Sequence, residues 1–120
     1  FAMAAALACL SLSNEQKTAN SVLRKGNIFC EQLESIAQQF GIPLKMTGVQ
    51  SMPYPWIEGD DDHYQIQSLC KIAASFGLYF HPHHNWFISD AMTDNDLEQA
   101  ISLSAQAFQQ YESENLSGRK

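Results

Sequence analysis

The side chains of this chain most able to do chemistry crowd into one run, Gly77-Leu-Tyr-Phe-His-Pro-His-His-Asn-Trp-Phe-Ile-Ser89. His81, His83, His84 and Asn85 stand between two short apolar pieces. An imidazole can donate, accept, take up a proton near neutral pH or ligate a metal. Three uses of the turn are open. It can shape a substrate pocket, since Pro82 stiffens the chain and polar side chains held there have little entropy left to lose. It can bind a metal, drawing on His81, His83, His84, His63 and Asp60 to Asp62. It can be structural, its imidazoles bonding nearby carbonyls or water. His83 and His84 are adjacent and point to opposite sides of an extended chain, which argues against shared ligation, so no metal is expected. The substrate-pocket candidates are His83, His84 and Asn85.

Amine chemistry would need a lysine, and the chain has Lys17, Lys25, Lys45, Lys71 and Lys120. Lys17, Lys25 and Lys71 fall on helical stretches, Lys45 on a strand and Lys120 in the tail. Their neighbours make all five solvated surface groups in expectation. The acidic run Glu58 to Asp62 lacks the spaced oxygens and closing Glu of a calcium loop. It reads as charge complementing the next helix's N-terminus. Cys9, Cys30 and Cys70 show no CxxC spacing and read as buried free thiols.

These residues need a frame, and 120 residues with 45% hydrophobic content supply one domain with a real core. A net charge of −6 argues against a nucleic-acid surface. The apolar start, Phe1 to Leu10, is too short to span a membrane and has no basic residue before it. A cytoplasmic location is expected. Ala2 to Leu12 reads as a helix apolar all round, hence buried on more than one side, with Ser13 and Asn14 capping the next helix. That second helix spans about 15–40 on the stripe Val22, Phe29, Leu33, Ile36, Ala37 and Phe40, with Gly26 marking a bend or a close contact. Gly41 and Pro43 stop it. Strands are expected at 44–49 and 52–57, the second an edge strand because Pro53 and Pro55 lack donors. A helix to Phe76 comes next, then strands at 78–80 and 86–89. The last helix is capped by Thr93 with Asp96 and turns its Leu97, Ala100, Ile101, Ser104, Phe108 and Tyr111 stripe inward. The fold class is α+β: a small, mostly antiparallel sheet of about four short strands covered by helices.

Several of these segments, in order, resemble the C-terminal domain of the class III, fold type I aminotransferases, which depend on pyridoxal phosphate. The subgroup nearest in character is glutamate-1-semialdehyde aminomutase. The resemblance is carried by Ala2-Met-Ala-Ala-Ala-Leu-Ala8, by Gly41-Ile-Pro43 through Thr47-Gly-Val-Gln-Ser-Met52, and by Gly77 to Ala100 with its Phe87-Ile-Ser89 and Thr93-Asp-Asn-Asp-Leu97. Departures are Gln50 in place of a glycine, Pro53 and Pro55 after Met52, and a turn with no carboxylate where the aminomutases carry Glu. The resemblance implies a helix, 1–12, belonging or connecting to a large domain, a small domain over 13–116 and a frayed tail over 117–120. It implies amino-group transfer, with pyridoxal phosphate, in a homodimeric whole enzyme whose large domain is this chain's partner. The family's cofactor lysine lies before the Ala-Met-Ala-Ala helix, so this fragment alone is expected to hold no cofactor and to be inactive. The alternative is a free-standing α+β binding module.

Overall fold

A computed structural model describes residues 1–115; the expected tail at 117–120 lies outside them, as does residue 116. The order is α1 (Ala2–Glu15), α2 (Thr18–Gln39), β1 (Leu44–Thr47), β2 (Tyr54–Ile57), α3 (Tyr64–Ser75) and α4 (Asp94–Asn115). The core comes from the stripes the apolar spacing marks. Phe29, Leu33 and Ala37 of α2, Ile66, Leu69 and Ala73 of α3 and Leu97, Ala107 and Phe108 of α4 join one buried cluster. α4 packs against both α2 and α3.

β1 and β2 pair antiparallel, Leu44 opposite Ile57 and Met46 opposite Pro55. All four of these residues are buried, so one sheet face closes the core. The sheet has two strands, not about four, and the bonds that reach 86–88 run one way only. Trp86 N donates to Pro53 O at 2.8 Å and Ile88 N to Ser51 O at 3.0 Å. A ladder needs bonds returned. Pro53 has no N–H to return to Trp86 O, and Ser51 N, the other donor this register calls for, makes no bond to Ile88 O among the described residues. The segment 86–88 is therefore fastened from one side only. Residues 78–80 are not a strand either; Leu78 N closes the α3 terminus onto Ala73 O after Gly77, which sits at φ +88°.

Two helix expectations are corrected. α1 runs through Ser13 and Asn14, and the break comes instead at Lys17, left-handed at φ 52°. No residue of α1 is buried: Met3, Leu7 and Leu10 are each well exposed, because nothing among the described residues packs over that face. Cys9 shares the exposure, against the expectation of three buried thiols. Burial of Cys30 and Cys70 pushes their thiols up to about 11 and about 12.

Gly26 marks a close contact rather than a bend. A Cβ there would come within 2.0 Å of the Gln50 carbonyl oxygen, which is backbone and cannot swing away. α2 thus lies directly on the 48–51 turn. In an open helix Gly→Ala stabilises by about 1 kcal/mol. Here Gly26→Ala should instead cost about 1–3 kcal/mol, the range for overpacking, measured by urea denaturation. A gain in stability would show that the 48–51 turn moves freely away from α2.

Candidate functional site

Turn 81–85 is pinned at its far end by three bonds to one short strip of backbone. Besides the Trp86 and Ile88 amides, Asn85 Nδ2 donates to Met52 O at 2.9 Å. Asn85, half-buried, thus commits its amide donor to the frame. Trp86 works twice: its indole Nε1–H donates to His81 O at 2.9 Å, closing the turn on itself.

His81, His83 and His84 are exposed, and the fold brings their rings together. The His81 and His83 centroids are 6.4 Å apart and those of His81 and His84 5.9 Å. His63, the left-handed residue before α3, adds its ring 5.4 Å from that of His83. Bond partners fix two tautomers. His81 Nδ1 accepts the His83 backbone N–H at 3.2 Å, so the proton of a neutral His81 sits on Nε2. His84 Nδ1 lies 2.9 Å from Asn85 O, and since a carbonyl only accepts, Nδ1 carries the proton and Nε2 is left as an acceptor. The turn therefore offers outward both a donor and an acceptor, which suits hydrogen bonding to a polar ligand. Asp60 is not part of this group. Its carboxylate is buried and accepts the Gln65 and Ile66 amides at 2.9 Å each, closing the open N-terminus of α3. Among the described residues, no three or more His, Cys, Asp or Glu side chains converge on a point that could hold a metal ion.

Beside the turn lies a bowl of about 370 Å3. Phe80 and Trp86 stack at 4.0 Å in its floor, and Phe29 stands edge-on to both at 6.4 Å. The sequence places these rings on separate elements and hides the cluster; the signal was an aromatic in each apolar piece flanking the turn. A wider, more open hollow of about 540 Å3 lies between α2 and β1, away from the turn. It is lined by Glu31, Glu34, Glu58 and Lys45, with no histidine, and is ordinary charged surface.

Three of the five lysines stand where the sequence places them. Lys17, Lys45 and Lys71 are exposed as expected, and Lys120 lies outside the described residues. Lys25 is a correction: it is 7% exposed. Its ammonium donates to Asp90 O at 2.7 Å and lies 3.5 Å from Asp90 Oδ1. The sequence hid this because the partner stands 65 positions away. The loop leaving the turn is thereby tied to α2. A hydrogen bond from Ser21 and then the Lys25 charge hold the Asp90 carboxyl below its ordinary range. A depressed carboxyl pKa contributes stability that is present above the unfolded value, about 3.9, and is lost as pH falls through the lowered folded value. Asp90→Asn should therefore be less stable than the parent at pH 7, with the gap closing as pH falls below about 4. Urea midpoints across that range check this; a gap that persists unchanged in acid would count against the Asp90 bonds.

No family model matches the chain. Aminopentol aminotransferase of Sphingopyxis macrogoltabida is 30% identical over 106 residues, which are 88% of this chain and 25% of that protein. The solved structure of the FumI protein of Sphingopyxis sp. MTA144, in its PLP internal aldimine form, superposes with a TM-score of 0.85 at 30% identity, covering 90% of this chain and 26% of that one. An omega-transaminase from Sphaerobacter thermophilus superposes at 0.68 with 14% identity, covering 77% of this chain and 24% of that one, a likeness of fold alone. The chain spans about a quarter of the length of the relatives it matches. Its relatives in sequence and in structure are aminotransferases, and its fold is that of the part of them it aligns with.

Proposed function

We propose that this chain is the C-terminal part of a class III, fold type I aminotransferase that uses pyridoxal phosphate. Residues 13–116 are its small domain, and 1–12 belong to or lead from a large domain that precedes them. One observation carries this reading: identity of 30% runs through 88% of the chain, alongside a superposition at 0.85 on a protein in its PLP form. The exposed apolar residues of α1 support it, since Met3, Leu7 and Leu10 form a face that a large domain would cover. A free-standing module would pack that helix within its own fold, and nothing observed favours it.

When bound, the cofactor supplies the electron sink for amino-group transfer. The amino groups of the described lysines do not fit the part of the lysine that holds it. Lys25 is committed to Asp90, and Lys17, Lys45 and Lys71 are exposed and border neither the turn nor the bowl. We assign that lysine and the phosphate donors to the preceding chain. The part of this domain is to present one wall of the substrate site, with His83 and His84 offering hydrogen bonds and Asn85 holding the turn in place. Transfer is favoured over isomerisation because the turn has no carboxylate and the sequence relative is named an aminotransferase. We place the whole enzyme in the cytoplasm as a homodimer.

The test is reductive trapping. Pyridoxal phosphate is added to this chain and to the longer protein, followed by borohydride and peptide mapping. The expected result is no specific adduct on this chain and one stable adduct, in the longer protein, on a lysine outside it. A stoichiometric adduct at a single lysine of this chain would overturn the reading.

A further inference from the structure

The bowl beside the turn has the size and the walls of a small-molecule subsite. Its volume of about 370 Å3 lies within the roughly 300–1,000 Å3 of such sites. The floor is the Phe80–Trp86 stack with Phe29 at its edge, and Met92, Leu97 and Ala100 close one side. His81 and Asn85 reach its rim, so the bowl and the histidine turn share a mouth.

Its charge says what it takes. Among the described residues, Asp96 is the one carboxylate lining it, and neither Lys nor Arg does. That carboxylate stays ionised. Thr93 N and Thr93 Oγ1 each donate to Asp96 Oδ2 at 2.7 Å in the cap of α4, and these bonds hold its carboxyl below the ordinary range. An acidic ligand entering here would shed water and meet the Asp96 carboxylate, while Lys25, whose charge also acts on Asp96, is committed to Asp90. An apolar body would replace water against aromatic faces, at about 25 cal/mol per Å2 covered.

We propose that the bowl is the subsite for the non-reacting, apolar part of an amine substrate or its carbonyl counterpart, and that it turns away acidic amino acids. The substrate part of this inference rests on the aminotransferase reading; the binding part does not. The reacting amine stays outside, toward the turn, while the body of the molecule lies on Trp86.

Binding is read on this chain by the indole N–H resonance of Trp86, with Trp56 on β2, which does not line the bowl, as internal control. The probes are hexan-1-ol, hexylamine and hexanoate. The alcohol and the amine should shift Trp86 saturably and leave Trp56 in place, with hexanoate at least about tenfold weaker. Ala100→Leu, which fills the bowl from a half-buried position of α4, should weaken hexylamine by about tenfold while keeping the parent's urea midpoint. No saturable shift of Trp86 in the parent chain, or hexanoate binding as tightly as hexylamine, overturns the proposal. In the longer protein the two readings separate. Failed amino transfer with Trp86 still responding removes the enzyme reading alone. Transfer that uses glutamate as readily as hexylamine removes the bowl's role in selection.

Discussion

Three consecutive carbonyls, those of Ser51, Met52 and Pro53, hold the histidine-turn end of this molecule together. They accept from Ile88 N, Asn85 Nδ2 and Trp86 N. Each bond contributes about 0.5–1.5 kcal/mol net. None is answered by a bond in the other direction: Pro53 has no N–H, and Ser51 N makes no bond to Ile88 O among the described residues. Their strength as a group lies in where the strip is fixed. Gly26 lets α2 lie directly on Gln50, one residue before it. Pro53 and Pro55 are fully buried under the sheet on its other side. A strip clamped at both ends can fasten a segment that would not make a strand by itself.

What the strip holds is the exit of the histidine turn. The entry is set by Gly77, whose left-handed backbone turns the chain out of α3. Between these two points Trp86 closes the loop with its indole and stacks its face on Phe80. Lys25 then ties the outgoing chain to α2 through Asp90, and the reciprocal Thr93–Asp96 bonds start α4. The imidazoles are exposed on a base anchored at every few residues, which is what a binding wall requires.

Much of the frame could be read from spacing. The α2 and α4 stripes hold because a helix presents every third or fourth residue to one neighbour. The Thr93–Asp96 box and the Gly41 stop are local chemistry and survive folding unchanged. Most of the failures depended on a partner far away in sequence or outside the described residues. Strand pairing at 86–89 lacks the return bond that Pro53 cannot make, and Leu78 N is taken up by Ala73 O at the end of α3. Lys25 looked solvated because nothing near it on α2 announces Asp90. The all-round apolar pattern of α1 suggested burial, and the pattern is real, but no element among the described residues covers it. The histidine turn was legible from its residue types, whereas the aromatic floor beneath it required Phe29, Phe80 and Trp86 to be seen in one place.

The likeness to aminotransferases over a quarter of their length sits well with these features. The chain has a fastened edge at 85–88 and exposed apolar residues along α1. The central physical claim is that the one-sided bonds make that edge rigid. Amide hydrogen exchange measures this residue by residue, with Phe87 as a control because its N–H donates to no backbone carbonyl among the described residues. Trp86 and Ile88 should exchange as slowly as the core amides of α2 while Phe87 exchanges fast. If all three exchange at the Phe87 rate, the strip does not hold the turn and the claim fails.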